Sequence, residues 1–249
     1  MLNVYSWGPA AGQPVVCLHG ITGHGARFAS LAARLPEHRV VGVDLRGHGR
    51  SVWEPPWGLA RHVDDLLATI DALAVDRAAW VGHSFGGRLV TELAARAPER
   101  VDRAVLLDPA LRIDPDVAAE RAELLRQDTS FGSADEAIDS RLGDGSLFTT
   151  PRSVIEAEAA AHLERGDDGR YRWRFSPLAV IVGWSEMTTP PPPWPSCPTL
   201  VVLGERSWIP VDVPDVPHVE TVTVPGGHSV LWDDFDATAD AVARFLAPA

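Results

Sequence analysis

Two residues of this 249-residue chain stand where covalent chemistry is done: a serine at 84 and a histidine at 228, each just after a short apolar run. Ser84 lies in Gly82-His83-Ser84-Phe85-Gly86-Gly87, a G-x-S-x-G that follows Ala-Ala-Trp-Val and opens an amphipathic stretch. A serine hydroxyl attacks a carbonyl carbon only when a base takes its proton and the emerging oxyanion is stabilised. A tight strand-to-helix turn gives the base access and sets a helix N-terminus beside the developing negative charge. The glycines at 82 and 86 permit that turn and the close approach of neighbouring backbone. The chemistry expected of such a serine is acyl transfer through a covalent intermediate.

His228 closes Gly226-Gly227-His228, directly after the run Thr-Val-Thr-Val and before the last helical stretch. A base must come within about 3 Å of the serine oxygen, and a loop after a strand end delivers it to the same edge of a parallel sheet. The Leu18-His19-Gly20-Ile21-Thr22-Gly23 segment follows another run, Val-Val-Cys-Leu. An oxyanion hole at such an elbow takes one N–H from the residue after the nucleophile and one from the loop after an earlier strand. Phe85 and Ile21 fit those two roles through their backbones. His19 reads as a hydrogen-bonder that orders its loop, and it is also a candidate to line the pocket.

The elements that must position these residues follow from periodicity. β-branched runs at 15–18, 39–43, 78–81, 104–107, 199–203 and 220–224 alternate with helical patterns at 62–74, 88–97 and 237–246. In the first of these helices Val63, Leu66, Leu67, Ile70 and Leu73 share one face. The alternation predicts an α/β fold, a doubly wound and mostly parallel sheet. It breaks at 111–198, where 114–127, 133–141, 151–165 and 178–187 all read as helices with no strand among them, as expected of a helical cap. That segment closes on a proline-rich connector at 190–198. The expected division is a core of residues 1–110 and 199–249 with a cap of 111–198.

A formal net charge of −12 disfavours nucleic acid and anionic membrane surfaces as partners. The 22 basic residues are all arginine. No apolar run approaches the length of a membrane span, and the first residues lack the pattern of a signal peptide, so a cytoplasmic location is expected. Cys17 and Cys197 match no metal or redox spacing. No phosphate loop, dinucleotide fingerprint or metal-ligand cluster appears, so no cofactor and no metal are expected.

Taken in order, HGITG, VVGVDLRGHGRS, VGHSFGG, AVLLDPA and PGGHS resemble the α/β-hydrolase superfamily across nearly the whole chain, within its esterase, lipase, lactonase and C–C hydrolase branch. The resemblance implies a cap inserted between the sixth and seventh strands of the fold. Serine at the elbow argues against epoxide hydrolases and haloalkane dehalogenases, which carry aspartate there. The sequence departs from the commonest family pattern at the triad acid: Gly204-Glu205-Arg206-Ser207 sets Ser207 where the aspartate usually stands. Some members place the acid one strand earlier, and Asp108, after Arg-Ala-Val-Leu-Leu, occupies that position. Glu205 is the rival, and a triad without an acid is the third reading.

Trp173, Trp184, Met187 and Trp208 are the candidate pocket residues of the cap and its edges, and as a set they suggest an apolar acyl or aryl site. The function expected is hydrolysis of a small, apolar carboxylic ester, lactone or thioester by a monomer or small homo-oligomer acting on a small molecule. C–C bond hydrolysis, perhydrolysis and non-catalytic ligand binding are the alternatives, the last motivated by the serine at 207.

Overall fold

A computed structural model describes residues 1–247. Among them, seven strands form one sheet in the order β1 (Val4–Trp7), β3 (His38–Val43), β2 (Gln13–Leu18), β4 (Ala78–His83), β5 (Val101–Leu107), β8 (Thr199–Gly204) and β9 (Val219–Val224). Every neighbouring pair is parallel except β1 with β3. Edge strand β1, which the periodicity did not reveal, has only four residues, too few for alternation to register.

Pleating sends alternate side chains of each strand to opposite faces, and both faces are apolar. Val16, Leu18, Trp80 and Leu106 pack against α2 (Leu59–Ala72) and α3 (Phe85–Arg96). Val15, Cys17, Val81 and Leu107 pack against α1 (Ala29–Ala33), α8 (Val230–Asp233) and α9 (Phe235–Leu246). Helices therefore cover both sides, and the sheet is doubly wound as the alternation implied. The loop at 44–51 is a buried hub. Asp44 accepts the N–H groups of Gly25 and Arg50 at 2.7 and 2.9 Å, and Arg46 pairs with Asp65.

Between β5 and β8 lie α4 (Pro115–Arg126), α5 (Ala134–Leu142), α6 (Arg152–His162) and α7 (Pro177–Glu186). The insertion follows the fifth and precedes the sixth of the seven strands of this sheet, and one expectation about it needs correction. It contains strands: β6 (Leu163–Arg165) and β7 (Tyr171–Trp173) pair antiparallel where a longer α6 was expected. Asp167-Asp168-Gly169 forms their turn, with Gly169 at φ 78° and the Gly166 N–H bonded to Arg170 O, so the chain reverses where a helix would have run on. The proline-rich 190–198 has no regular structure.

One buried side chain holds both ends of this insertion. Arg88 of α3, 1% exposed, donates to Leu111 O on the outgoing connection and to Thr189 O and Pro190 O on the return, while its Nε meets Glu92. Among the described residues, no helix is long and apolar enough to cross a membrane.

Candidate active site

Strand β4 is buried along its whole length and passes into α3 with Ser84 as the single residue between them. Ser84 adopts φ 54°, ψ −116°, a conformation costing a non-glycine residue about 1–3 kcal/mol, which the surroundings impose. Its N–H donates to Leu107 O, and its carbonyl receives the N–H groups of Gly87, Arg88 and Ala110. A Cβ on Gly82 would lie 2.3 Å from Gly86 O, and one on Gly86 would lie 2.2 Å from Leu18 O. Both sites are closed to any larger residue because backbone, not a movable side chain, stands in the way.

Ser84 Oγ lies 2.9 Å from His228 Nε2, and His228 Nδ1 lies 2.6 Å from Asp108 Oδ2. Asp108 sits at the end of β5 at φ 42° and is fully buried. Its Oδ1 accepts the Gly204 N–H at 2.9 Å, and its Oδ2 accepts the Ser207 hydroxyl. A carboxylate surrounded by donors is an acceptor, so His228 carries its proton on Nδ1 and offers a bare Nε2 to the serine. Glu205 is exposed just after β8, and among the described residues no hydrogen bond or ion pair joins its side chain to His228.

Two histidines that sequence reasoning left idle support this line. His83 donates from Nε2 to the carbonyl of His228 at 2.9 Å, and the two rings lie 4.9 Å apart. Burial holds its pKa well below the ordinary range, so it is neutral. His48 Nε2 lies 2.7 Å from Ile21 O, which fixes the orientation of that loop. The signal for His83 was its place inside the G-x-S-x-G; for His48 there was none, since it meets Ile21 only through the fold. Among the described residues neither the Ile21 nor the Phe85 N–H donates to a protein acceptor.

A cavity of about 370 Å³ opens over Ser84 and His228, lined by Ile21, Trp173, Trp184 and Trp208 among others. Two of the expected pocket residues are not there. His19 is wholly buried beneath, with Nε2 accepting the Leu45 N–H at 3.0 Å and Nδ1 directed at Gly20 O. Burial lowers its pKa well below the ordinary range, which suits a neutral tie between two loops. Met187 is buried as well, at the end of α7, where its carbonyl accepts the Ile113 N–H. Both lie outside the cavity because they turn inward, which residue type alone does not reveal. A larger groove of about 670 Å³, between α6 and the turn before α9, does not reach Ser84. Among the described residues no group of three or more histidine, cysteine, aspartate or glutamate side chains is placed to hold a metal ion.

This arrangement of sheet, elbow serine and strand-end histidine defines a hydrolase of the α/β type, and residues 13–139 match the family described as alpha/beta hydrolase fold. The chain belongs to that family. It is similar to lipase LipV of Mycobacterium tuberculosis, 36% identical over 75% of this chain and 71% of that one. It is also similar to esterase YbfF of Escherichia coli, 27% identical over 94% and 93% of the two chains. Among solved structures it resembles E-2-(acetamidomethylene)succinate hydrolase, at a TM-score of 0.85 and 25% identity, covering 98% of this chain and 94% of that one.

Proposed function

We propose that the chain is a serine ester hydrolase in which Ser84 is the nucleophile, His228 the base and Asp108 the triad acid. The observation that carries the reading is the unbroken hydrogen-bonded line from Ser84 Oγ through His228 to Asp108, with the spacing that proton transfer needs. The lipase and esterase relatives, matched over most of the chain, support ester cleavage.

The geometry supports two steps. In the first, His228 Nε2 takes the Ser84 proton as Oγ bonds to the substrate carbonyl carbon, and the carbonyl oxygen becomes an oxyanion held by the Ile21 and Phe85 N–H groups. The intermediate collapses, the C–O bond to the alcohol breaks, and His228 returns its proton to the departing oxygen. In the second, a water replaces the alcohol, His228 takes its proton, and the acid leaves as Ser84 regains its hydrogen. Asp108 keeps its negative charge throughout, holding the imidazole in one tautomer and stabilising the imidazolium.

Residues 111–198 act as a cap over this site, and 1–110 with 199–249 form the catalytic core. Gly183 of α7 supports that arrangement, because a Cβ there would fall 2.2 Å from Ile21 Cδ1. The tryptophans of the cavity suit an apolar portion of a small substrate. The test is turnover of 4-nitrophenyl esters of increasing acyl length. Hydrolysis should disappear in Ser84→Ala; equal rates in the two proteins would end the reading.

A further inference from the structure

The charged residues of the cavity have an imbalance that ester cleavage alone does not call for. Its lining includes Arg27, Arg121 and Arg141 against one carboxylate, Asp144, in a chain whose net charge is −12. Arg27 is neutralised from behind, because its guanidinium donates to Glu158, which is buried and also bonded to His24 Nε2 at 2.9 Å. Asp144 is exposed and already accepts the N–H and hydroxyl of Ser146.

Arg141 has no such partner. Among the described residues it forms no ion pair: Glu158 and Asp144 act on it only at a distance, and its one hydrogen bond runs to the neutral Thr22 hydroxyl at 3.2 Å. Its guanidinium lies over the rings of Trp173 and Trp232, 5.3 and 5.9 Å from their centroids. Those contacts orient the cation without cancelling its charge. Burial lowers the pKa of Arg141, yet arginine stays protonated, so a half-buried positive charge faces the cavity. Thr22 is the residue after Ile21, so this charge sits close to the oxyanion donors. A planar fork of N–H donors fixed on aromatic faces beside a reacting carbonyl matches a carboxylate.

Resting on the reading of Ser84 as an esterase nucleophile, we infer that the substrate is an ester carrying a free carboxylate, which Arg141 binds beside the scissile carbonyl. Arg141 is then a specificity determinant. The N–H donors not bonded to Thr22 meet the substrate anion, and the tryptophans hold the apolar part of the substrate that joins the anion to the ester. Neutral esters of the same length lack that anchor and leave the cation unpaired.

Two matched pairs test this. The first sets 4-nitrophenyl hydrogen adipate against its methyl ester, with the charge on the acyl side. The second sets 4-(butanoyloxy)benzoate against its methyl ester, with the charge on the leaving group. The intact enzyme should prefer the anionic member of one pair by about tenfold or more in kcat/KM at low salt, and the preferred pair identifies the charged side. Arg141→Gln should collapse that ratio, while Arg141→Lys should keep part of it and also serves as the folding control. A ratio near one in both pairs, or one unchanged in Arg141→Gln, overturns the inference and leaves the esterase reading intact. Turnover of none of the four esters would remove the esterase reading instead. Calorimetric binding of adipate, lost in Arg141→Gln, would then still support the anion site, and absence of binding would overturn it.

Discussion

Ser207 donates its hydroxyl hydrogen to Asp108 Oδ2, the same oxygen that lies 2.6 Å from His228 Nδ1. Ser207, which stands where the family usually carries its acid, therefore touches the carboxylate proposed to replace it. That carboxylate lies at the neighbouring strand end, and a hydroxyl donor favours its charged form.

If Asp108 holds the imidazole, Asp108→Asn should lower kcat roughly 10³- to 10⁴-fold with little change in KM. Glu205→Gln should stay within about twofold of the parent, since that side chain is exposed and outside the line. Steady-state kinetics on one chromogenic ester decides, and the reverse ranking would move the acid to Glu205.

Ser207 yields a sharper test. Ser207→Ala removes one donor to Asp108 and should cost about tenfold in kcat, in keeping with the loss of one charge-assisted hydrogen bond. An aspartate at 207 stands close enough to meet His228, so the double variant Asp108→Asn, Ser207→Asp should recover activity above Asp108→Asn alone. Failure to exceed the single variant would show that the acid cannot be relocated along this edge.

Stability should fall in mild acid. His62 is buried against the ring of Phe85, and burial pushes its pKa down to about 3; that of His162 is pushed to about 2. The unfolded chain takes up protons below about pH 6.5, which the folded chain refuses until far lower. Stability is therefore full above about pH 6.5 and declines as pH falls towards 3, by about 1.4 kcal/mol per pH unit for each such histidine. Urea unfolding from pH 7 to 4.5 measures the slope, and His62→Gln should flatten it by one histidine's share.

Gly86→Ala should not yield a working enzyme. Its Cβ would lie 2.2 Å from Leu18 O, and relief requires β2 and the elbow to separate. A loss of more than about 3 kcal/mol is expected, with activity falling alongside thermal stability. A variant of normal melting temperature and normal rate would contradict the tight elbow.

Much of this architecture was legible because it is local. The runs before Ser84, Asp108 and His228 read as strands from their own composition, and the residues after them occupy one sheet edge by the rule for parallel sheets. What escaped depends on distant partners or on too few residues. Strand β1 is four residues long, and the β6–β7 hairpin hangs on a three-residue turn. His19 and Met187 look like pocket residues by type, and only the packing around them turns them inward. The pairing of His24 with Glu158 spans 134 residues and has no trace in spacing. Arg141 was one arginine among 22 until its contacts with Thr22, Trp173 and Trp232 set it apart.

Arg88→Met should loosen the insertion before the sheet. The substitution leaves the carbonyls of Leu111, Thr189 and Pro190 without their shared donor, at a cost of about 3 kcal/mol or more. Limited proteolysis should then cut within residues 111–198 while the core fragments remain associated. Uniform resistance to cleavage would refute it.

The same guanidinium is a shared tether: the outgoing connection at Leu111 and the return at Thr189 and Pro190 meet at one side chain of α3. The segment between them is fastened to the core again at Gly47, Gly49 and Asp233. A grafted segment of different sequence must therefore present three carbonyl oxygens to Arg88 and reproduce those further bonds as well.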